Sequence, residues 1–216
     1  RKDDATRGLR HVYSDAIPIT ITDYWGMQGF TFYTDALSQW GTGVACKAAD
    51  GTAIFAGLAE HEADCGKAQV LSGDAAKVFT GLADLFAKAK VQREPIGEKK
   101  QNENFAEPRV GSVLKKMRTV LNRRIHRPPK KAWSLVLKWA TAATNLSNGA
   151  WVRVKGKTSR DSAIRNFMQF GQKVLVKDHG AKVRSALDAR STERGYVAPA
   201  GAAGGILTVA WERDIH

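Results

Sequence analysis

Gly29-Phe30-Thr31-Phe32-Tyr33-Thr34-Asp35-Ala36 is the stretch on which the fold turns. Its aromatic and β-branched residues suit a pleated, half-buried surface and predict a strand ending near Asp35. Upstream, Ile17-Pro18-Ile19-Thr20-Ile21-Thr22 alternates as well, but Pro18 confines that piece to a sheet edge or a strand start, and residues 1–15 lack a period and read as an arm. Downstream, Val44-Ala45-Cys46-Lys47-Ala48 and Thr52 to Leu58 flank Asp50-Gly51, a pair that tolerates the positive φ of a tight hairpin turn. Three consecutive antiparallel strands are expected.

Helical spacing follows. Ala75, Val78, Phe79, Leu82, Leu85 and Phe86 recur with the period of a helix that Ser72 or Asp74 can cap. Residues 92–108 are polar, carry Pro95 and Pro108, and read as an exposed insertion. Val110, Val113, Leu114, Met117, Val120, Leu121 and Ile125 form one stripe of a second helix, with Lys115, Lys116, Arg118 and Arg123 largely off it. A third helix begins near Ala132 and stops at Asn148-Gly149. Trp151-Val152-Arg153-Val154-Lys155 alternates as a strand, Ile164 to Val176 resumes helical spacing, and Ile206 to Trp211 reads as a last strand or a docking tail. The domain plan is an arm and edge strand over 1–28, an α/β domain over 29–180 with an insertion near 92–108, and an extension over 181–216.

Charge is distributed unevenly. Of 216 residues, 34 are Lys or Arg and 21 Asp or Glu, a net charge of +13, yet residues 1–90 are slightly acidic and Pro108 to Arg160 holds fourteen basic side chains and no acid. Such a block releases condensed counterions when it meets a phosphate backbone, which favours nucleic acid as partner. The expected contact set is Arg109, Lys115, Lys116, Arg118, Arg123, Arg124, Arg127, Lys130, Lys131, Arg153, Lys155, Lys157, Arg160 and Arg165. No neighbouring Asn, Gln and Arg pattern specifies bases, so these residues suit backbone contact.

Hydrophobic residues make up 43% of the chain, enough for a packed core. The longest nearly apolar run, Ala200 to Trp211, is about half of what a membrane span needs, so no membrane insertion is expected. Two cysteines, Cys46 and Cys65, build no disulfide framework and imply a reducing compartment. The polar, Arg-bearing start at Arg1 has the character left by removal of an import sequence, which points to the mitochondrial matrix or another organelle, and otherwise to the cytoplasm. His61-Glu62-Ala63-Asp64-Cys65 gathers ligand-type residues without a familiar metal spacing, and Gly156-Lys157-Thr158-Ser159 lacks the earlier glycine of a phosphate-binding loop. No metal site is expected there. Trp25 and Trp40, each beside a glycine, are candidates for base stacking.

Gly29 to Ala36 resembles the opening strand of ribonuclease H, whose TDG or TDA step presents the first catalytic Asp, here Asp35. Asp50-Gly51 then matches the following hairpin turn, Asp74 stands where the family has its catalytic Glu, and Trp151 to Lys157 resembles the late W-x-W-V-K-G-H strand and loop. The resemblance covers roughly residues 29–175. It implies an RNase H-like mixed sheet, three antiparallel strands first, flanked by helices with terminal extensions. It also implies a damaged metal site: four family carboxylates hold two divalent ions, whereas here Lys157 replaces the loop His and the last Asp falls near Arg165 or Asn166.

These readings combine into an expected function. The chain reads as a non-catalytic RNA-binding component of a ribonucleoprotein assembly, a ribosome first and a mitochondrial one among these, with RNA and neighbouring proteins as partners. Asp35 and Asp74 are then vestigial, no cofactor is needed, and Mg²⁺ enters only if the chain is instead an active RNase H-type nuclease that recruits Glu94 or Asp161. A viral nucleocapsid or coat protein is another alternative, and a subunit that sets its charge against acidic protein neighbours is a third.

Overall fold

A computed structural model describes residues 10–74, 82–96, 104–123, 128–167, 169–177, 191–200 and 205–209. The elements in chain order are β1 (His11–Pro18), β2 (Gly29–Asp35), β3 (Gly41–Cys46), α1 (Gly51–Cys65), β4 (Val70–Asp74), α2 (Ala83–Ala89), β5 (Gln92–Ile96) and α3 (Ala106–Leu121). A short 3₁₀ turn, Lys130–Ala132, leads into α4 (Trp133–Ser147), α5 (Ala150–Lys155) and α6 (Lys157–Asn166). Three strands close the series: β6 (Lys173–Lys177), β7 (Ser191–Ala200) and β8 (Gly205–Val209).

The main sheet has the order β3-β2-β1-β4-β5. β2 runs antiparallel to both β1 and β3, whereas β4 lies parallel to β1 and β5 parallel to β4. This is a mixed sheet of the coarse RNase H-like kind. β6, β7 and β8 form a separate antiparallel sheet.

Both faces of the main sheet are covered. On one face Phe30 and Phe32 pack with Val110, Val113 and Met117 of α3 and with Trp133, Val136 and Leu137 of α4. On the other, Val12, Tyr33 and Leu71 pack with Ile54 and Leu58 of α1 and with Phe86 of α2. A satellite cluster joins Trp40 to Trp151, Leu146 and Ala163. At about 2 kcal/mol for each large apolar side chain removed from water, these clusters are the main favourable contribution to folding. Helix and sheet approach closely where the sequence permits: a Cβ on Gly43 of β3 would stand 2.9 Å from Leu137 Cδ1 of α4.

Four expectations are corrected. First, residues 11–18 are not arm or edge but β1, the middle strand. His11, Val12, Tyr13 and Ser14 are all buried, so two-sided burial removes the polar alternation that marks a half-exposed strand. Pro18 is tolerated because it ends the strand. Second, Thr52 to Leu58 is helical. Asp50 is its N-cap, accepting from Ala53 N at 2.9 Å, and Ile54, Leu58, His61 and Cys65 bury one face at helical spacing. Asp-Gly serves a cap as readily as a hairpin. Third, Trp151 to Lys155 is α5, entered through Gly149 at φ +75° and left through Gly156 at φ +82°. Trp151 is buried while Val152 is 39% exposed, which is one-sided helical burial. Fourth, the stretch from Ile164 to Val176 changes from α6 to β6, and part of the Gly/Ala/Pro-rich connector over 195–205 is paired in β7.

Other readings hold. α3 carries its stripe inward through Val110, Val113, Met117 and Val120, and Asn148 caps the end of α4. Two readings need correcting: the exposed insertion expected over 92–108 holds β5, an edge strand that accepts Pro95, and the start of α3, with residues 97–103 outside those described. Of the helix expected from Ala75 to Phe86, residues 75–81 lie outside those described and Leu85 and Phe86 fall in α2, while its expected caps Ser72 and Asp74 belong to β4.

Candidate functional site

Asp35 ends β2 and is paired in register with Val12, so it lies on the α1 face of the sheet. Its side chain is 1% exposed, and Oδ1 accepts from both the backbone N and the hydroxyl of Ser38 at 2.6 Å. Arg10 Nε stands 3.6 Å from Oδ2. Around it are groups that burial has pushed away from charge: His61 falls to about 4, and the Cys65 thiol rises to about 12. Asp35 locks the β2–β3 turn through Oδ1, while Oδ2 makes no hydrogen bond among the described residues and has the Arg10 guanidinium as its ion-pair neighbour.

A different set of acids meets at the centre of the sheet. In the parallel pair β1/β4, His11 lies beside Val70, Val12 beside Leu71 and Tyr13 beside Ser72. That constant offset, carried two residues further, sets Asp15 of β1 level with Asp74, the last residue of β4. Asp15 is half-buried, its Oδ1 accepting from Ala16 N at 2.8 Å, and two-residue alternation places it on the face of Tyr13. Tyr13 packs against Phe105 with ring centroids 5.0 Å apart.

Phe105 immediately precedes α3, so this contact brings the start of that helix to the middle of β1. Asn104 Oδ1 fixes the entry by accepting from Ala106 N at 3.0 Å. Glu107 lies in the first turn of α3 and is exposed, a position where the helix dipole favours a carboxylate. Thus the fold assembles register positions for three acids, Asp15, Asp74 and Glu107, from two central strands and a helix start. Carboxylate oxygens are the hard ligands that Mg²⁺ prefers, so the donor chemistry fits that ion. Among the described side chains no three metal-ligating groups converge; the side chain of Asp74 is outside that description.

Beside these acids, His11 Nε2 meets Ser72 Oγ at 2.6 Å, and Glu94 Oε2 of β5 stands 3.5 Å from the same nitrogen. Glu94, named above as a reserve carboxylate, is therefore engaged at the far end of β1. Asp161 lies on α6, away from the sheet centre in sequence and element.

The basic residues divide into distinct groups. Arg109, Lys115 and Lys116 of α3 and Arg153 of α5 come together. The Arg109 guanidinium is lowered by burial and by Arg153, and the Lys116 ammonium by burial, Arg109 and Lys115. Arg109 donates to Gln39 Oε1, and Arg153 Nε donates to Ser38 O at 2.6 Å, so neutral acceptors of the β2–β3 turn hold both. None of the four pairs with an acid among the described residues.

Others are occupied or dispersed. Lys155 Nζ is 2.6 Å from Asp64 Oδ1 and lies over Trp40, so its charge is answered within the chain. Arg123 donates to Phe170 O at 2.9 Å. Arg118, Lys130, Lys131, Lys157 and Arg165 are exposed and Arg160 is half-buried, while Arg124 and Arg127 lie outside the described residues. Of the two candidate stacking residues, Trp25 is 53% exposed, but Trp40 is buried against Trp151 at 5.3 Å. The His61 to Cys65 cluster is the inner end of α1: His61 Nδ1 meets Thr42 Oγ1, and Glu62 accepts from Ala68 N.

Asp15 and Glu107 went unread in the sequence. Asp15 sits in a strand mistaken for an arm, and Glu107 stands one residue before the acid-free block, which hid it behind its own flank. The usable signal was the lone acid after Val12-Tyr13-Ser14, where a β-branched and an aromatic residue suit a strand.

No family model matches the chain, and no curated protein matches it. Solved structures align with the chain at 11% identity. The simian T-cell lymphotropic virus intasome in complex with PP2A regulatory subunit B56 gamma aligns with a TM-score of 0.48 over 59% of this chain and 46% of that one. The HTLV-2 integrase catalytic core domain in complex with magnesium aligns at 0.42 in its dimeric form, covering 59% of this chain and 81% of the core. Its trimeric form gives 0.43, with 66% and 82% covered. The chain spans less than half of the intasome chain. No described helix is long and apolar enough to cross a membrane.

Proposed function

We propose that this chain is the core of a Mg²⁺-dependent nuclease or polynucleotidyl transferase of RNase H-like fold, with Asp15, Asp74 and Glu107 as its metal-holding acids. The observation that carries the reading is the β1/β4 register, paired from His11/Val70 to Tyr13/Ser72, whose offset continued two residues brings Asp15 level with Asp74. The Tyr13–Phe105 contact adds Glu107 from the head of α3. Mg²⁺ bound by such a set polarises a phosphoryl oxygen and lowers the pKa of a bound water.

The chain's own residues supply the rest. The three acids stand within β1, at the end of β4 and in the first turn of α3, so the packing of α3 on the sheet sets their spacing. Arg109, Lys115, Lys116 and Arg153 seat the phosphodiester backbone through charge and geometry, without reading bases. Partial burial of Arg109 and Lys116 strengthens their pull on an anion relative to a fully solvated cation.

The test is Mg²⁺-dependent nicking or strand joining on duplex DNA and on an RNA–DNA hybrid. D15N and E107Q are each expected to lower the rate by about a thousandfold, some 4 kcal/mol of transition-state stabilisation. D35N is expected to remain active in the folded fraction. Salt-sensitive RNA binding with no Mg²⁺-dependent chemistry on any substrate would instead favour the non-catalytic ribonucleoprotein component.

A further inference from the structure

A second concavity lies apart from these acids. A cavity of about 260 Å³ opens between the β1–β2 loop, β3, α1 and the first turn of α4, with Asp23, Trp25, Val44, Glu60, Ser134 and Lys138 in its wall. β3 is an edge strand of the sheet, so this is a border of the domain.

Two buried polar groups in that wall lack hydrogen-bond partners among the described residues. Asp23 is 5% exposed; its Oδ1 accepts from Trp25 N and Met27 N, but Oδ2 has no hydrogen bond. Ser134 is 6% exposed, and its Oγ is likewise unpartnered. A shielded acceptor without a donor is costly, by about 1–3 kcal/mol each, and a ligand that supplies the donors relieves that cost. The wall also carries two carboxylates, Asp23 and Glu60, against one ammonium, Lys138. Lys138 is exposed and forms no ion pair among the described residues. Opposite stands Trp25, 53% exposed, with its indole offered to solvent.

We propose that this cavity binds an alkylguanidinium group, carried either by an arginine side chain of a partner polypeptide or by a free alkylguanidine. The guanidinium plane carries five N–H donors, enough to serve Asp23 and Ser134 together. Its face stacks on an indole, and its short apolar stem matches Met27, Val44 and Leu135 in the same wall. A primary ammonium offers the charge without the plane. Because both oxygens are shielded from bulk water, a hydrogen bond made to them is stronger than one on open surface. The site shares no residue with Asp15, Asp74 or Glu107.

The experiment follows the Trp25 indole N–H resonance of the whole chain during titration with propylguanidinium, propylammonium and propionate. Saturable binding of propylguanidinium near 1 mM is expected, about −4 kcal/mol. W25A and E60Q should each weaken it by about threefold to tenfold, and D23N more, through loss of charge-assisted contacts. K138Q should tighten it, because removing the lone ammonium removes repulsion. W25A and E60Q change exposed or rim positions, so they stay informative even if D23N, whose Oδ1 holds the loop, unfolds. D15N should bind as the parent does, which separates this outcome from the fate of the metal site.

A capped Gly-Arg-Gly peptide in a parallel titration distinguishes the sources. Tighter binding than propylguanidinium assigns the site to a polypeptide, and exclusion of the peptide assigns it to a free small cation. Absence of saturation at about tenfold higher concentration, equal binding of propylammonium, or weakening by K138Q would each overturn the proposal.

Discussion

Asp15 and Asp35 stand on neighbouring strands of one sheet, and their surroundings differ in every respect that decides chemistry. Asp35 faces α1, is 1% exposed, and spends Oδ1 on two Ser38 donors with Arg10 close to Oδ2. Asp15 faces α3, is half-buried, and shares its level with the end of a parallel strand and the acidic start of a helix. A carboxylate becomes available to a metal by its face and its neighbours, and the tripeptide around it is a poor guide. Thr-Asp-Ala supplied the resemblance, yet the topology assigns the opening strand of the sheet to β1 and Thr-Asp-Ala to β2.

The sharpest way to break that contrast is catalytic. D15N should abolish Mg²⁺-dependent chemistry by about three orders of magnitude, while D35N keeps the rate of the folded protein; steady-state cleavage of both variants measures it. Comparable losses in both would erase the distinction. Next in size is the shared scaffold. Phe32→Ala removes a fully buried ring between β2 and α3/α4 and should cost about 3–5 kcal/mol in urea unfolding. Such a loss would confirm that packing on the Asp15 face, where α3 docks, sustains the fold.

On the opposite face the effect is one of pH. Burial lowers His61 from 6.5 to about 4, so the folded state favours its neutral form. The unfolded chain binds a proton through that interval and the folded chain does not. Stability is therefore fully present above about pH 6.5 and falls as pH drops toward 4, by about 3 kcal/mol across the interval. Urea midpoints between pH 7 and pH 4.5, compared with His61→Phe, should show the slope in the parent alone. Smaller still is Asp35→Ala, expected to destabilise by about 2 kcal/mol through the stranded Ser38 donors and Arg10. The smallest is Asp50→Ala at the cap of α1, about 1 kcal/mol in the same assay.

The helices over 106–121 and 133–147 were legible because their apolar periods survive one-sided burial, and the strand through Phe30 and Tyr33 because its aromatic and β-branched residues mark a strand even with both faces covered. β1 was not, because both its faces are covered and its period vanishes. α1 was read as extended because Asp50-Gly51 has two structural uses, and only the fifteen-residue length of the element decides between them. For the basic surface, charge density was visible but its internal bookkeeping was not: sequence cannot show that Lys155 is answered by Asp64 ninety-one positions away while Arg109 and Arg153 meet without an acid. The acid set was hidden for a related reason. Asp15 and Asp74 come level only when the β1/β4 offset is continued past Tyr13 and Ser72, and Glu107 follows Phe105, whose ring meets Tyr13; neither relation leaves a local motif.

The most direct test of the central claim is binding of Mn²⁺, as a paramagnetic stand-in for Mg²⁺, followed by NMR line broadening in the parent, D15N, E107Q and D35N. The account predicts that broadening centres on the middle of β1, the end of β4 and the first turn of α3, is lost in D15N and E107Q, and persists in D35N. Broadening centred on Asp35, or undiminished by D15N, would contradict it.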